Sequence, residues 1–181
     1  MQPETHRFDP TRRADFFRLH GELCDGGCYC VAWWVPTWEG WGARTPAQNR
    51  QLRESLLAQG EYDGYLLYLD GQPVGWCQAG PRDRLTKLVR QFGLEPDPAT
   101  WAITCFLVAP GWRRKGLASA LLEAVLRDLR ARGVRRVEAY PKRGAALDAL
   151  DLWNGPEATL RAAGFQVVQD DPVRPVLALE L

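Results

Sequence analysis

The residues Trp101 to Val108, WAITCFLV, form a nearly continuous apolar run. A strand with one wet face alternates polar and apolar residues. An unbroken run instead fits a central strand covered on both faces. After a short turn, Leu117 to Arg132 carries the most regular helical pattern in the chain. Leu117, Leu121, Val125 and Leu129 share one face, with Leu122 and Leu126 beside them, and Gly133 is placed as the C-cap. A doubly covered strand feeding an amphipathic helix requires a sheet with helices packed on it.

The remaining elements are read around that pair. Thr11 to Glu22 predicts a short helix, with apolar bulk from Phe16, Phe17 and Leu19. Thr45-Pro46 opens a second helix, with Thr as cap, Pro in the first turn, and Leu52, Leu56 and Leu57 on one face; Gly60 ends it. Tyr62 to Leu69 and Pro73 to Ala79 predict two strands joined at Asp70-Gly71, a strong hairpin signal between apolar runs. Arg82 to Phe92 reads as a helical insert and Gly93 to Ala99 as loop. Arg135 to Tyr140 predicts a strand, Glu157 to Ala163 a short helix closed by Gly164, and Phe165 to Gln169 and Pro175 to Leu181 two final strands. The order is βααββ, an insert, then βαβαββ: an α/β layout with helices against a mixed sheet. At 181 residues the chain suits one domain over 1–181.

Between the central strand and its helix lies Val108-Ala109-Pro110-Gly111-Trp112-Arg113-Arg114-Lys115-Gly116-Leu117-Ala118. A helix start exposes unpaired N–H groups and the positive end of the dipole. Gly116 and the small Ala118 permit close approach to the backbone. Arg113, Arg114 and Lys115 add positive charge. Pro110 to Arg143 holds ten Lys/Arg against three Asp/Glu, in a chain of overall charge +1. The combination predicts a cradle for a pyrophosphate. It is neither a Walker loop nor a dinucleotide fingerprint, since the defining Gly-Lys-Ser/Thr and Gly-x-Gly-x-x-Gly patterns are missing.

Val108-x-Pro110 followed by Arg113-x-x-Gly116-x-Ala118 resembles the signature of the GNAT superfamily of acetyl-CoA-dependent N-acetyltransferases. A second similarity supports it: Asn154, then the short helix Ala158 to Ala163, then Gly164-Phe165. The cysteine- and tryptophan-rich stretch near the N-terminus looks like a bacterial subgroup of unknown acceptor. The resemblance implies a mixed, mostly antiparallel sheet of about seven strands flanked by helices, with a cleft where the central strand splays from the next. It implies that backbone groups of Phe106, Leu107 and Val108 bond the pantetheine arm like an added strand. Backbone N–H groups from Arg113, Arg114, Lys115, Gly116, Leu117, Ala118 and Ser119 would hold the pyrophosphate, and Asn154 would touch the pantetheine. The amine would attack the thioester directly in a ternary complex, with the oxyanion on a backbone N–H.

Direct transfer needs a neutral amine and a path for its proton. The usual family Glu on the central strand is replaced by the neighbourhood Ala102-Ile103-Thr104, and the usual Tyr of the late helix by Leu160. Tyr140, at the end of the strand after the main helix, is the candidate acid for the leaving thiolate. Glu138 is a candidate base through water. Each has a structural alternative, an aromatic plug for Tyr140 and an arginine partner for Glu138. Without either group the chain reads as a catalytically silent acyl-CoA-binding or sensor module.

The loop Cys24 to Trp41 falls, by analogy, over the acceptor half of the cleft. Tyr29, Trp33 and Trp34 are candidates for the acceptor pocket, with Trp38 and Trp41 nearby, as a cage or a stacking wall. Asp25 and Glu39 could attract a cationic group. The alternative is that these rings roof the core. Cys24-x-x-x-Cys28 with His20 has knuckle spacing, which opens a zinc-dependent interaction reading. No second Cys/His pair follows, so buried thiols are expected and no metal. Cys105, in the central strand, is expected as packing. The N-terminus lacks an apolar signal run and no segment is long enough to span a bilayer, which predicts a cytoplasmic protein. The expected partners are acetyl-CoA and an amine, not nucleic acid or membrane, on a monomer or homodimer.

Overall fold

In the computed structural model, which describes residues 2–23, 27–148 and 151–181, the chain runs β1 (Glu4–Arg7), α1 (Arg13–Gly21), α2 (Pro46–Ala58), β2 (Tyr65–Leu69) and β3 (Gln72–Pro81). It continues through α3 (Thr86–Phe92), β4 (Thr100–Val108), α4 (Leu117–Ala131) and β5 (Arg136–Ala139). It closes with α5 (Glu157–Ala162), β6 (Gln166–Gln169) and β7 (Val176–Glu180). The predicted order is the observed one.

Local chemistry explains the boundaries. The side chain of Thr45 accepts from Gln48 N, and Gln48 Oε1 accepts from Thr45 N at 2.8 Å, a reciprocal capping box with Pro46 behind it. The hairpin between β2 and β3 turns at Asp70 and Gly71, both at positive φ (48° and 75°), as a tight primed turn requires. The buried face of α2 differs from the expected one. Asn49, Arg53, Leu56 and Leu57 are buried, while Leu52 is only half-buried. An arginine therefore stands where the leucine periodicity predicted an apolar residue.

The seven strands form one sheet in the order β1-β2-β3-β4-β5-β7-β6. The β4–β5 pair is parallel and every other pair antiparallel. Both faces are covered. Tyr65, Leu67 and Leu69 of β2 pack with Leu121, Val125 and Leu129 of α4. The alternate residues Leu66 and Tyr68 pack with Phe16 and Leu19 of α1. Each leucine so buried contributes about 1.5–3 kcal/mol.

One irregularity opens the sheet. Gln78 of β3 lies opposite Cys105, but Ala79 lies opposite Ile103, so Thr104 is an extra residue in β4. A bulge of this kind bends its strand and raises the local twist. The β4–β5 pairing covers only Thr100–Ile103 against Arg136–Ala139 and ends one residue before the bulge. From Thr104 to Val108, β4 is paired to β3 alone.

Candidate active site

A cleft of about 1190 Å³ lies along this half of β4, where the β5 side has no strand partner. One group of its lining residues comes from β4 and the turn after it: Cys105, Phe106, Leu107, Val108, Arg113, Arg114 and Gly116 to Ser119. The turn is shaped for backbone donors. Arg114 and Gly116 have positive φ (60° and 75°), and Gly116 caps α4 without any side-chain cap bond. The first N–H of α4 bonded to the capping carbonyl is that of Ala120, on Gly116 O at 3.1 Å. The N–H groups just before it have no partner within the helix. A Cβ built on Gly116 would meet nothing within 4 Å, so the space over the turn is open. Arg113 Nε donates to the Val108 carbonyl at 2.9 Å, which fixes the turn against the strand end. Lys115 is not part of the lining; its Nζ stands 4.7 Å over the Trp112 ring.

A second group comes from α1 and the segment after it: His20, Cys28, Cys30, Ala32, Trp33, Trp38 and Trp41. Of the three expected acceptor residues, only Trp33 lines the cleft. Tyr29 has φ 44°, and its ring lies off the cleft, tilted against Phe17 with the hydroxyl beside Gly21. Trp34 packs with the cluster around Leu88 and Tyr140. In the orientation that satisfies the Gln78 amide, the Trp34 indole N–H donates to it at 3.1 Å. Trp33, Trp38 and Trp41 surround a cation, but it is the protein's own. Lys87 Nζ of α3 lies 3.3 Å from the Trp38 ring centroid, 5.6 Å from Trp33 and 5.9 Å from Trp41, and donates to the Ala32 carbonyl. Burial lowers the Lys87 pKa to about 8. Cys24 and Asp25 lie outside the described residues. Among those described, no three His, Cys, Asp or Glu are grouped to hold a metal ion.

The expected proton-transfer groups are displaced from the cleft. Tyr140 is fully buried and its hydroxyl donates to Glu138 Oε2 at 2.8 Å. The same oxygen accepts from Arg82 at 3.0 Å, and Arg136 binds the other. Neither Tyr140 nor Glu138 lines the cleft. Desolvation, then the Glu138 charge, pushes the Tyr140 phenol well above its ordinary range, which suits a structural donor rather than an acid. Asn154 is likewise buried off the lining. Its Nδ2 donates to the Tyr140 carbonyl at 3.0 Å and ties down the end of β5.

What sequence reasoning missed is the floor of the acceptor side. His20 Nδ1 lies 3.0 Å from the Phe16 carbonyl, an acceptor only, so Nδ1 carries the proton and Nε2 the lone pair. That Nε2 is buried without a hydrogen-bond partner. Burial chiefly, with the Arg53 charge opposing as well, depresses the His20 pKa to about 3. Arg53 is almost fully buried and bonds the carbonyls of Tyr29 (2.9 Å) and Cys30, with no carboxylate in ion-pair range among the described residues. Cys30 Sγ accepts from the Trp76 indole at 3.2 Å. Burial opposes its ionisation, but the Cys105 contact, the Arg53 charge and Trp76 outweigh it and lower the Cys30 pKa. Burial raises Cys28 to about 11.

Solved structures share this fold. The PaiA N-acetyltransferase of Thermoplasma acidophilum, solved with coenzyme A, superposes with a TM-score of 0.59 at 12% identity, covering 100% of both chains. An acetyltransferase of Thermus thermophilus gives 0.59 at 19% identity, covering 100% of this chain and 98% of that one. The ribosomal-protein-S18-alanine N-acetyltransferase of Escherichia coli gives 0.56 at 15%, covering 99% and 94%. No curated protein matches the chain in sequence. The model of the acetyltransferase (GNAT) family matches residues 29–153. The chain belongs to that family, and is thus an acetyl-CoA-dependent acyltransferase, as the Val108–Ala118 signature implied.

Proposed function

We propose that the chain is an N-acetyltransferase, one domain over residues 1–181, that moves an acetyl group from acetyl-CoA to a primary amine by direct attack in a ternary complex. The amine belongs to a small molecule or to a protein. The observation that carries this reading is the half of β4 left open on its β5 side, running straight into the N–H-rich turn at Arg113–Ser119. Backbone groups of Phe106 to Val108 would pair with the pantetheine amides, and the turn would take the pyrophosphate. The CoA complex of the Thermoplasma enzyme supports the choice of co-substrate. A β4 backbone N–H would face the oxyanion as the amine attacks. No described helix is long and apolar enough to cross a membrane. Monomer and homodimer are both compatible with the site.

A thiol-release assay over a panel of amines, with the N-acetyl product identified by mass, tests the reading. Release of CoA matched by acetylated amine is expected. The displacement of Tyr140 and Glu138 into a buried ion-pair network favours a second reading, a catalytically silent acyl-CoA-binding module. Acetyl-CoA binding with no amine turned over would establish that one instead.

A further inference from the structure

Three features of the acceptor side point the same way. The first is the orphaned His20 Nε2, a buried lone pair on a residue that lines the cleft. Buried polar atoms nearly always have a partner, and this one has none within the protein. The second is charge. Asp148, whose carboxylate accepts from the Asp151 N–H at 2.9 Å, is the single carboxylate among the described lining residues. Positive groups, in contrast, stand behind the acceptor side: Arg53, buried beside His20 with no carboxylate in ion-pair range among the described residues, and Lys87 inside the tryptophan cage. Arg174 also lines the cleft, with Nη1 buried and unpartnered. An ammonium ion entering here meets like charge in a low-dielectric wall, and the one carboxylate among the described lining residues, Asp148, already accepts a backbone N–H. The third is that both proton-transfer candidates, Glu138 and Tyr140, are engaged in the buried network around Arg82.

From these we infer that the acceptor enters as an uncharged, weakly basic amine, an aromatic amine in chemical class, and that His20 Nε2 accepts its N–H and aims the nitrogen at the thioester. The inference rests on the acetyl-transfer reading and deepens it. An amine already neutral at pH 7 needs no base before attack, so the burial of Glu138 away from the cleft does not slow it. Its flat ring matches a lining of Trp33, Trp38, Trp41 and Trp153. The nitrogen lone pair forms the C–N bond and the thioester C–S bond breaks. CoA leaves with that electron pair as thiolate and gains, through water, the proton the nitrogen loses. The charged and titratable groups facing His20 are Arg53 from α2, Tyr29, Cys28 and Cys30 from the segment after α1, and Cys105 from β4. None is a carboxylate, so His20 stays neutral and accepting across the working range.

The test is steady-state kinetics with aniline and benzylamine, similar in size but opposite in charge state at pH 7. Aniline is expected to show the larger kcat/KM by about tenfold or more, flat from pH 6 to 9, while the benzylamine value climbs with its neutral fraction. His20→Phe keeps the ring and removes the lone pair. It is expected to lower kcat/KM for aniline by about tenfold, roughly one hydrogen bond, with CoA affinity retained and partial rescue in His20→Gln. Preference for benzylamine at pH 7, or wild-type kinetics in a folded His20→Phe, overturns the inference and leaves acetyl transfer standing. CoA binding without turnover of any amine overturns both. If His20→Phe does not fold, the wild-type amine series decides alone.

Discussion

The two sides of the cleft are built by different means. The Arg113–Ser119 turn is made of backbone: positive φ at Arg114 and Gly116, a helix start, and a strand end tied by Arg113. The acceptor corner is made of side chains that converge from α1, α2, β3, β4 and the segment after α1. A backbone cradle needs a few permissive residues in succession and little else. A side-chain corner is only as good as the packing that holds it. Damage to the first should therefore weaken CoA binding and spare stability. Damage to the second should cost stability and acceptor kinetics and spare CoA.

Arg53→Ala should produce the largest effect, and on stability. It strips the buried carbonyls of Tyr29 and Cys30 of their donor and leaves a cavity. The expected cost is about 3 kcal/mol or more, or about 10 °C in Tm by calorimetry. CoA affinity of the folded protein should stay within about threefold. A parallel loss of CoA binding would mean that the two sides are one mechanical unit. Gly116→Glu is the mirror experiment. It puts a carboxylate and a strained φ of 75° into the open space over the turn. The CoA Kd should rise about a hundredfold by titration calorimetry, with Tm shifted by only a few degrees.

This asymmetry also explains what could be read from sequence. The cradle was legible because its parts are adjacent: an apolar run, a glycine-bearing basic turn and an amphipathic helix follow one another from Trp101 to Arg132. The order of elements along the chain and the hairpin at Asp70-Gly71 were legible for the same reason. The acceptor corner was not. Tyr29 and Trp33 are four residues apart, yet the positive φ of Tyr29 and Cys30 sends them to different compartments, and nothing in the residue types announces it. Arg53 stands beside Leu52, Leu56 and Leu57, and the leucine pattern gave no reason to bury it. Lys87 comes from the insert and meets three tryptophans roughly fifty residues upstream. The sequence offered His20 only as a metal ligand; its bare Nε2 depends on a hydrogen bond made by Nδ1 in the folded helix. Glu138 and Tyr140 were candidates with an arginine partner and an aromatic plug as their alternatives, and the chain could not show that Arg82 of the insert binds Glu138, which in turn holds the Tyr140 hydroxyl.

Lys87 sharpens the comparison through pH. Its pKa, lowered by burial to about 8, lies below the ordinary lysine value near 10.4. Between these values the unfolded chain binds more protons than the native one, so this group makes stability rise with pH across that window. Lys87→Met removes the dependence. The Tm of the wild type minus that of the variant should therefore increase from pH 8 to pH 10. A flat difference would show that the Trp38 and Trp33 rings hold the cation as well as water does. In that case the cage would accept an ammonium, and its occupation by Lys87 would no longer argue against cationic acceptors.

Tyr140→Phe should give the smallest effect, and it bears on catalysis. The hydroxyl donates to Glu138, which also binds Arg82 and Arg136. Removing it leaves the carboxylate with its two arginines, so the loss is one buried hydrogen bond, about 1–2 kcal/mol. A chain of this size should lose about 3–6 °C in Tm. Turnover should remain within about twofold of wild type at every pH, because the phenol does not reach the cleft. A drop in kcat confined to high or low pH, without a matching loss of stability, would return Tyr140 to the proton path. That would require the β5 end to move toward the splay when CoA binds, and the backbone and side-chain halves of the cleft would then be coupled through Asn154, whose amide grips the Tyr140 carbonyl.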